Sequence, residues 1–154
     1  TSGIMVIALN INAYYHLQKQ FENHSIKKKY VALTEKIPSI KEQTIILPLA
    51  PDITNRPMQM ISREYGLYAE TYYKVVNEKE GKAMIDVYPR TGRTHQIRVH
   101  LSCKEGADAP IVGDRLYGSK SIVCRLMLHA EKITFEQTAT KKEMTFEDKA
   151  PFGL

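Results

Sequence analysis

Residues 69–88 read AETYYKVVNEKEGKAMIDVY and carry the clearest secondary-structure pattern in this chain of 154 residues. Polar and apolar side chains alternate from Glu70 to Val76, which is typical of a half-buried strand. Glu80-Gly81-Lys82 has the composition of a tight hairpin turn, and residues 83–87 are apolar enough for a second strand. The stretch therefore predicts an antiparallel hairpin.

Further strand-like segments lie on both sides of this hairpin, separated by Pro, Asn, Asp or Gly. They cover residues 4–9, 29–34, 44–47, 58–62, 126–135 and 143–146. One amphipathic helix is predicted over residues 12–23, because Ala13, Leu17 and Phe21 recur every four residues. Many strands, few helices and no regular strand–helix alternation predict an α+β fold with a mixed, mostly antiparallel sheet.

Residues 94–103 fit two kinds of secondary structure. Ile97, Val99 and Leu101 alternate with polar residues as in a strand. Thr94 is a fair helix cap, and Ile97 and Leu101 also stand one helical turn apart. The periodicity leaves strand and helix both open for this segment.

The composition predicts one basic, globular domain. The net charge is +5 and the isoelectric point is about 9.1, a level at which a nucleic-acid partner becomes a reasonable hypothesis. Cations concentrate at residues 27–29 and between residues 88 and 120, although a lysine run alone is more often a solvated face. Cys103 and Cys124 are predicted to be reduced thiols of a cytoplasmic protein, and no membrane span or targeting segment is visible.

Two polar runs carry the strongest functional signal. Residues 91–100 read TGRTHQIRVH, and residues 110–118 read PIVGDRLYG. His95 and His100 cannot share a metal, because they lie about 140° apart on a helix and on opposite faces of a strand. The chain also lacks a serine elbow and a phosphate-binding glycine loop. These runs favour a surface that faces a polyanion, without a metal or nucleotide cofactor.

Arg98 and Tyr30 each allow two interpretations. Arg98 can contact phosphates or hold a carboxylate through paired N–H donors, although a structural ion pair is the commoner role of such an arginine. Tyr30 follows three lysines at the head of a strand, where it can stack on a base or pack at the sheet edge. The residues alone leave both alternatives open.

The two runs resemble the signature of the RluA-type RNA pseudouridine synthases. Four shorter segments support the resemblance: Lys29-Tyr30-Val31-Ala32, Leu47-Pro48-Leu49, Asn55-Arg56-Pro57 and Leu128-His129-Ala130. The second and third of these look most like the RluA branch, which acts on large-subunit ribosomal RNA and on transfer RNA. The resemblance implies the pseudouridine synthase fold and conversion of uridine to pseudouridine in RNA, without metal or cofactor.

The resemblance also implies roles for individual residues. Tyr30 matches the tyrosine that packs on the target base and is proposed to move its proton. Arg98 matches the basic residue that pairs with an aspartate nucleophile. The positions expected to contact RNA or the uridine are Lys29, Arg56, Arg93, His95 and Ile97.

Thr1-Ser2-Gly3 match the end of the family's nucleophile motif, which places the expected aspartate three residues before Thr1. Residues 1–154 are therefore expected to be the C-terminal part of a single catalytic domain, inactive without the upstream residues. The implied partner is RNA, with no membrane contact, and a monomer is favoured for the full-length protein. The alternative is an RNA-binding protein without catalysis.

Overall fold

A computed structural model describes residues 1–121 and 123–154, which contain nine strands and two helices. The elements in chain order are β1 (Ser2–Gly3), α1 (Ile11–Glu22), β2 (Lys27–Thr34), β3 (Glu42–Ile46), β4 (Leu49–Pro51), β5 (Gln59–Ile61), β6 (Glu70–Lys79), β7 (Lys82–Pro89), α2 (Gln96–Ser102), β8 (Leu128–Glu136) and β9 (Glu143–Glu147).

Seven of the strands form one sheet in the order β1-β8-β2-β7-β6-β3, and β9 pairs with β8 as well. The β1–β8 pairing is parallel and the other pairings are antiparallel. Strands β4 and β5 form a separate two-stranded sheet. The mixed, mostly antiparallel sheet with two helices confirms the predicted α+β class.

The predicted hairpin is confirmed as β6–β7, with Lys79 opposite Lys82. The two residues between them, Glu80 and Gly81, have φ angles of 51° and 76°. Positive φ at both central positions matches the right-handed twist of the flanking strands. The predicted helix is also confirmed as α1, which begins after Asn10, whose side chain accepts a hydrogen bond of 2.9 Å from the backbone N–H of Ala13.

The strand predicted over residues 4–9 is wrong. Only Ser2–Gly3 pairs with β8, and the apolar side chains of Met5, Ile7 and Leu9 are exposed. The edge of β8 beyond this point is occupied by β9, which pairs with it from Lys132 to Glu136. A strand that continued parallel to β8 beyond Gly3 would therefore find no free edge with which to pair. The short strand β4 was not predicted.

Within the ambiguous segment at residues 94–103, Gln96–Ser102 form helix α2, and His95 rather than Thr94 occupies the N-cap position. Ile97 and Leu101 pack in a core cluster with Ile85 and Val87 of β7, on one face of the sheet. The other face carries a second cluster that includes Val31 and other residues of β2 and β7. Burial of the Ile97–Leu101 stripe against the sheet decides between helix and strand, which the local pattern does not.

A buried hydrogen-bond network fixes α2 against β6. The Nδ1 atom of His100 lies 2.9 Å from Thr71 Oγ1, and its Nε2 atom lies 2.9 Å from the carbonyl oxygen of Leu47. Burial lowers the pKa of His100, so the neutral ring donates from Nε2 and accepts at Nδ1. Gln96 donates to the same threonine hydroxyl over 2.9 Å. These bonds set the rotation of α2 about its axis.

Within residues 1–121 and 123–154, no helix is both long and apolar enough to cross a membrane. The same residues contain no group of three or more His, Cys, Asp or Glu side chains placed to hold a metal ion. Cys103 and Cys124 are both free thiols.

Candidate active site

Tyr30 and Arg98, 68 positions apart in the chain, line the same cavity of about 430 Å³. The two side chains come from β2 and from α2. The other residues around the cavity are Thr1, Lys28, Pro89, Thr91, Gly92, Arg93, His95, Gln96, Ile97 and Leu128. The structure thus brings most of the predicted site residues together.

Tyr30 enters the cavity at an irregularity in the sheet. The register between β2 and β8 shifts after Lys29, so that Tyr30 lies opposite Ala130 and Glu131 is an extra residue on β8. Such bulges often re-aim side chains beside active sites. Burial raises the pKa of Tyr30, whose side chain lines the cavity. The structure therefore places a neutral phenol at the cavity.

Arg98 is bound by Asp114, which lies in the run at residues 110–118 and to which the sequence assigned no role. Arg98 Nε donates to Asp114 Oδ2 over 2.8 Å, and Nη2 donates to Oδ1 over 2.7 Å. The Asp114 side chain is fully buried, whereas that of Arg98 is 17% exposed. These hydrogen bonds raise the pKa of Arg98. The paired geometry fixes the plane of the guanidinium at the cavity wall.

Tyr117 supports both Arg98 and His95. The guanidinium carbon of Arg98 lies 5.0 Å from the centroid of the Tyr117 ring, within the range of a cation–π contact. The Tyr117 hydroxyl accepts a hydrogen bond of 2.8 Å from the backbone N–H of Gln59 and lies 2.8 Å from His95 Nδ1. Burial lowers the pKa of His95. The neutral His95 ring accepts a hydrogen bond at Nδ1 from the Tyr117 hydroxyl, and this bond fixes the orientation of the His95 ring.

Gln96 shapes the turn that precedes α2. Its side-chain oxygen accepts from the Thr91 hydroxyl over 2.6 Å and from the backbone N–H of Arg93 over 2.9 Å. Its side-chain nitrogen donates to the carbonyl oxygen of Glu70 over 2.9 Å. The turn then enters the helix through His95, whose φ is 53° and whose side chain makes no capping bond. Gln96 therefore holds residues 91–95 around the cavity.

The four remaining predicted contacts differ in position. Ile97 is buried and lines the cavity, and Arg93 lines it while donating from Nε to the Tyr68 carbonyl oxygen over 2.9 Å. Lys29 does not reach it: its ammonium lies 3.0 Å from Asp86 Oδ2 and 2.7 Å from Glu131 Oε2. Arg56 is exposed and is not among the residues around the cavity.

Lys28, not Lys29, shares the cavity with Tyr30. Residues two apart in a strand face the same side of the sheet, and Lys29 faces the opposite side with Val31. Although burial lowers the pKa of Lys29, its hydrogen bonds to Glu131 and Asp86 raise it above the usual value. Strand parity could have assigned Lys28 to the Tyr30 face from the sequence alone.

Comparison with known proteins identifies relatives over almost the whole chain. The family model described as "RNA pseudouridylate synthase" matches residues 1–103. The protein named "Dual-specificity RNA pseudouridine synthase RluA" in Escherichia coli K12 is 40% identical over 156 residues, covering 99% of this chain and 70% of that protein. Its Yersinia pestis counterpart of the same name is 35% identical, with 99% of this chain and 74% of that protein covered.

Two solved structures share the fold. "Human RNA Pseudouridylate Synthase Domain Containing 1" superimposes with a TM-score of 0.79 at 27% identity, covering 94% of this chain and 63% of that chain. "Human RNA Pseudouridylate Synthase Domain Containing 4" has a TM-score of 0.76 at 25% identity, covering 96% and 66%. This chain therefore spans about two thirds of the length of these structures.

Proposed function

This chain belongs to the RluA-type RNA pseudouridine synthase family, and from that membership we propose that it isomerises uridine to pseudouridine in ribosomal RNA, transfer RNA or both. The observation that carries the proposal is the convergence of Tyr30 and Arg98 on one cavity. The relatives named RluA are described as "dual-specificity", which favours more than one RNA substrate. We propose that the protein acts in the cytoplasm.

The reaction requires the uracil to leave the sugar and return through a different atom. The bond between N1 and C1′ breaks, the base turns, and a bond forms between C5 and C1′. C5 then loses a hydrogen and N1 gains one, so the product is an isomer of the substrate. The target must first leave its stack, which costs a few kcal/mol that contacts to the RNA offset.

The Tyr30 phenol and the Arg98 guanidinium suit two different parts of this chemistry. Tyr30 presents a flat ring for the base and a neutral hydroxyl that can move a proton. Arg98 uses Nε and Nη2 to bind Asp114, and Nη1 has no partner in the described residues. That remaining edge can hold a second carboxylate and keep it ionised, as a nucleophile requires.

We propose that this second carboxylate is an aspartate three positions before Thr1 in the natural protein, and that residues 1–154 are the C-terminal part of one catalytic domain. Two observations support this. Thr1 lines the cavity with Arg98, and β1 is tied to β8 by the pairs Ser2–His129 and Gly3–Ala130. Three extended residues reach roughly 10 Å, so the aspartate would lie within that distance of Thr1.

The test is pseudouridine formation in vitro and in cells. We expect the natural full-length protein to convert uridine in unmodified ribosomal or transfer RNA, and the mapped sites to be missing from cells that lack it. Residues 1–154 alone should form no pseudouridine. Absence of conversion by the full-length protein would leave the alternative, RNA binding without catalysis, and conversion by residues 1–154 would exclude the upstream nucleophile.

Replacing Tyr30 with phenylalanine keeps the ring and removes the hydroxyl. If Tyr30 packs on the base and moves its proton, the variant should bind RNA with unchanged affinity but release product abnormally, which a comparison of single-turnover with multiple-turnover kinetics can follow. Tyr65→Phe is the matched control, because Tyr65 is 59% exposed and lies outside this cavity and the neighbouring one lined by Arg90 and Lys132. Kinetics of Tyr30→Phe equal to those of the control would contradict the assigned role.

A further inference from the structure

The three consecutive lysines at the start of β2 lie in three different electrostatic environments. Lys27 is 74% exposed and lies 3.3 Å from Glu143 Oε2. Lys29 is bound by two carboxylates on the other side of the sheet. Lys28 is half-buried, and no carboxylate oxygen of residues 1–121 or 123–154 lies within 4.0 Å of its ammonium. Of these three lysines, only Lys28 has no acidic partner among the described residues.

The protein supplies the Lys28 ammonium with neutral contacts alone. Its Nζ donates to the Thr91 carbonyl oxygen over 3.0 Å and lies 6.0 Å from the centroid of the Phe21 ring. Burial lowers the pKa of Lys28, because the charged form has lost water without gaining a counter-ion. A cation held in this way carries an unfavourable charge that an anionic ligand would compensate.

Lys28 stands where three cavities meet. It lines the cavity of Tyr30 and Arg98, a neighbouring cavity of about 630 Å³, and a smaller one of about 210 Å³ beside α1. The wall of the neighbouring cavity carries Arg90 and Lys132, which lie 3.6 Å from Glu70 Oε2 and 3.7 Å from Glu147 Oε2. A strand of RNA with one nucleotide in the Tyr30 cavity can continue along this wall past Lys28.

Gly92 leaves the ammonium open to a ligand. A Cβ atom at position 92 would lie 3.6 Å from Lys28 Nζ, in van der Waals contact with it. Any larger side chain there would cover the lysine from the cavity. The absence of a side chain at Gly92 thus leaves the two N–H groups that are not bonded to Thr91 open toward the cavity.

We propose that Lys28 binds the backbone phosphate next to the target uridine, and so holds the RNA strand where it turns into the cavity of Tyr30 and Arg98. The inference rests on the proposed function and adds a position-specific contact to it. An ammonium without a protein counter-ion pairs well with a phosphodiester, whose oxygens accept strong charge-assisted hydrogen bonds. Phosphate binding would give the Lys28 ammonium the negative counter-charge that the described residues do not provide.

The experiment uses the natural full-length protein and a synthetic RNA stem-loop with one uridine in its loop. We expect Lys28→Gln to weaken binding roughly ten-fold, since the lost bond involves two charged groups. The slope of log affinity against log salt should become shallower by about 0.7, the value for one phosphate of a single strand. Lys28→Arg should bind nearly as well as the wild type, because it keeps the charge.

A set of RNAs, each with one neutral methylphosphonate in the loop, locates the contact. In the wild type, the methylphosphonate next to the uridine should cost as much affinity as Lys28→Gln, and in Lys28→Gln it should cost nothing more. Lys74→Gln is the matched control: Lys74 is exposed, lies 3.4 Å from Glu42 and belongs to β6, outside these cavities. It should respond to every methylphosphonate as the wild type does.

Two results would overturn the inference while RNA binding by the wild type remains. One is an unchanged affinity of Lys28→Gln. The other is a loss of affinity in Lys28→Gln that adds by the same amount to the loss from each methylphosphonate, whatever its position. Such a result would indicate a structural defect. Thermal unfolding of Lys28→Gln and Lys28→Arg separates misfolding from lost binding. A wild-type protein that binds no RNA would overturn the proposed function itself, before any variant is compared.

Discussion

Replacing Arg98 with alanine in the natural full-length protein is expected to lower turnover by at least about 10²–10³-fold, the range seen when one preorganised donor is lost from an active site. The substitution removes the guanidinium that lines the cavity and leaves the buried carboxylate of Asp114 without its partner. Pseudouridine formation under single-turnover conditions measures the effect. Turnover close to that of the wild type would refute the assigned role.

Two further variants show which property of Arg98 matters. Arg98→Lys keeps the charge but cannot form the two parallel bonds to Asp114, so it should recover only a small part of the activity. Arg63→Ala is the surface control, because Arg63 is 70% exposed and pairs with Glu105 away from the cavity. We expect Arg63→Ala to change neither turnover nor stability measurably.

Replacing Asp114 with asparagine is expected to reduce both stability and turnover. The change removes the charge that faces Arg98 and weakens the bonds of 3.2 Å that the Asp114 Oδ1 atom accepts from the backbone N–H groups of Leu116 and Tyr117. Breaking a buried ion pair costs 3–5 kcal/mol, and the partial exposure of Arg98 lowers the expected loss to about 2–3 kcal/mol. Chemical denaturation measures this loss.

A positioning role for Asp114 is separable from a purely structural one. Below the unfolding transition, Asp114→Asn should lower kcat more than it raises KM, because Arg98 loses its fixed orientation. The double variant Arg98→Ala/Asp114→Asn should be no slower than Arg98→Ala alone, since both changes act through one guanidinium. Additive losses would show that Asp114 affects catalysis by another route. Asp108→Asn, at an exposed ion pair with Lys36, is the matched control.

Much of the fold could be predicted because strand and turn signals are local. The alternation at residues 70–76 and the turn at Glu80-Gly81 identify β6 and β7, and the four-residue apolar repeat identifies α1. The apolar composition of residues 4–9 predicts a buried strand, which the structure does not contain. Pairing with a neighbour decides whether such a segment becomes a strand, and β9 takes the available edge.

The sequence predicted which two residues lie at the candidate site, but it did not predict which side chains bind them. The motif containing Arg98 and the segment containing Tyr30 pointed to two residues that the structure places in one cavity. The motif did not show that Asp114, 16 residues after Arg98, supplies the carboxylate that Arg98 binds in the described chain. Nor did the motif show that Lys28 rather than Lys29 lines the cavity, although the alternation of side chains along a strand predicts this.

The class of fold, the family and the two residues proposed for the site could be predicted from the sequence, because local periodicity and a long motif lie in consecutive residues. Three features could not: α2 is a helix, Arg98 is bound by Asp114, and Lys28 lines the cavity without a carboxylate partner among the described residues. These three depend on burial and on partners distant in the chain, which only packing of the whole domain brings together.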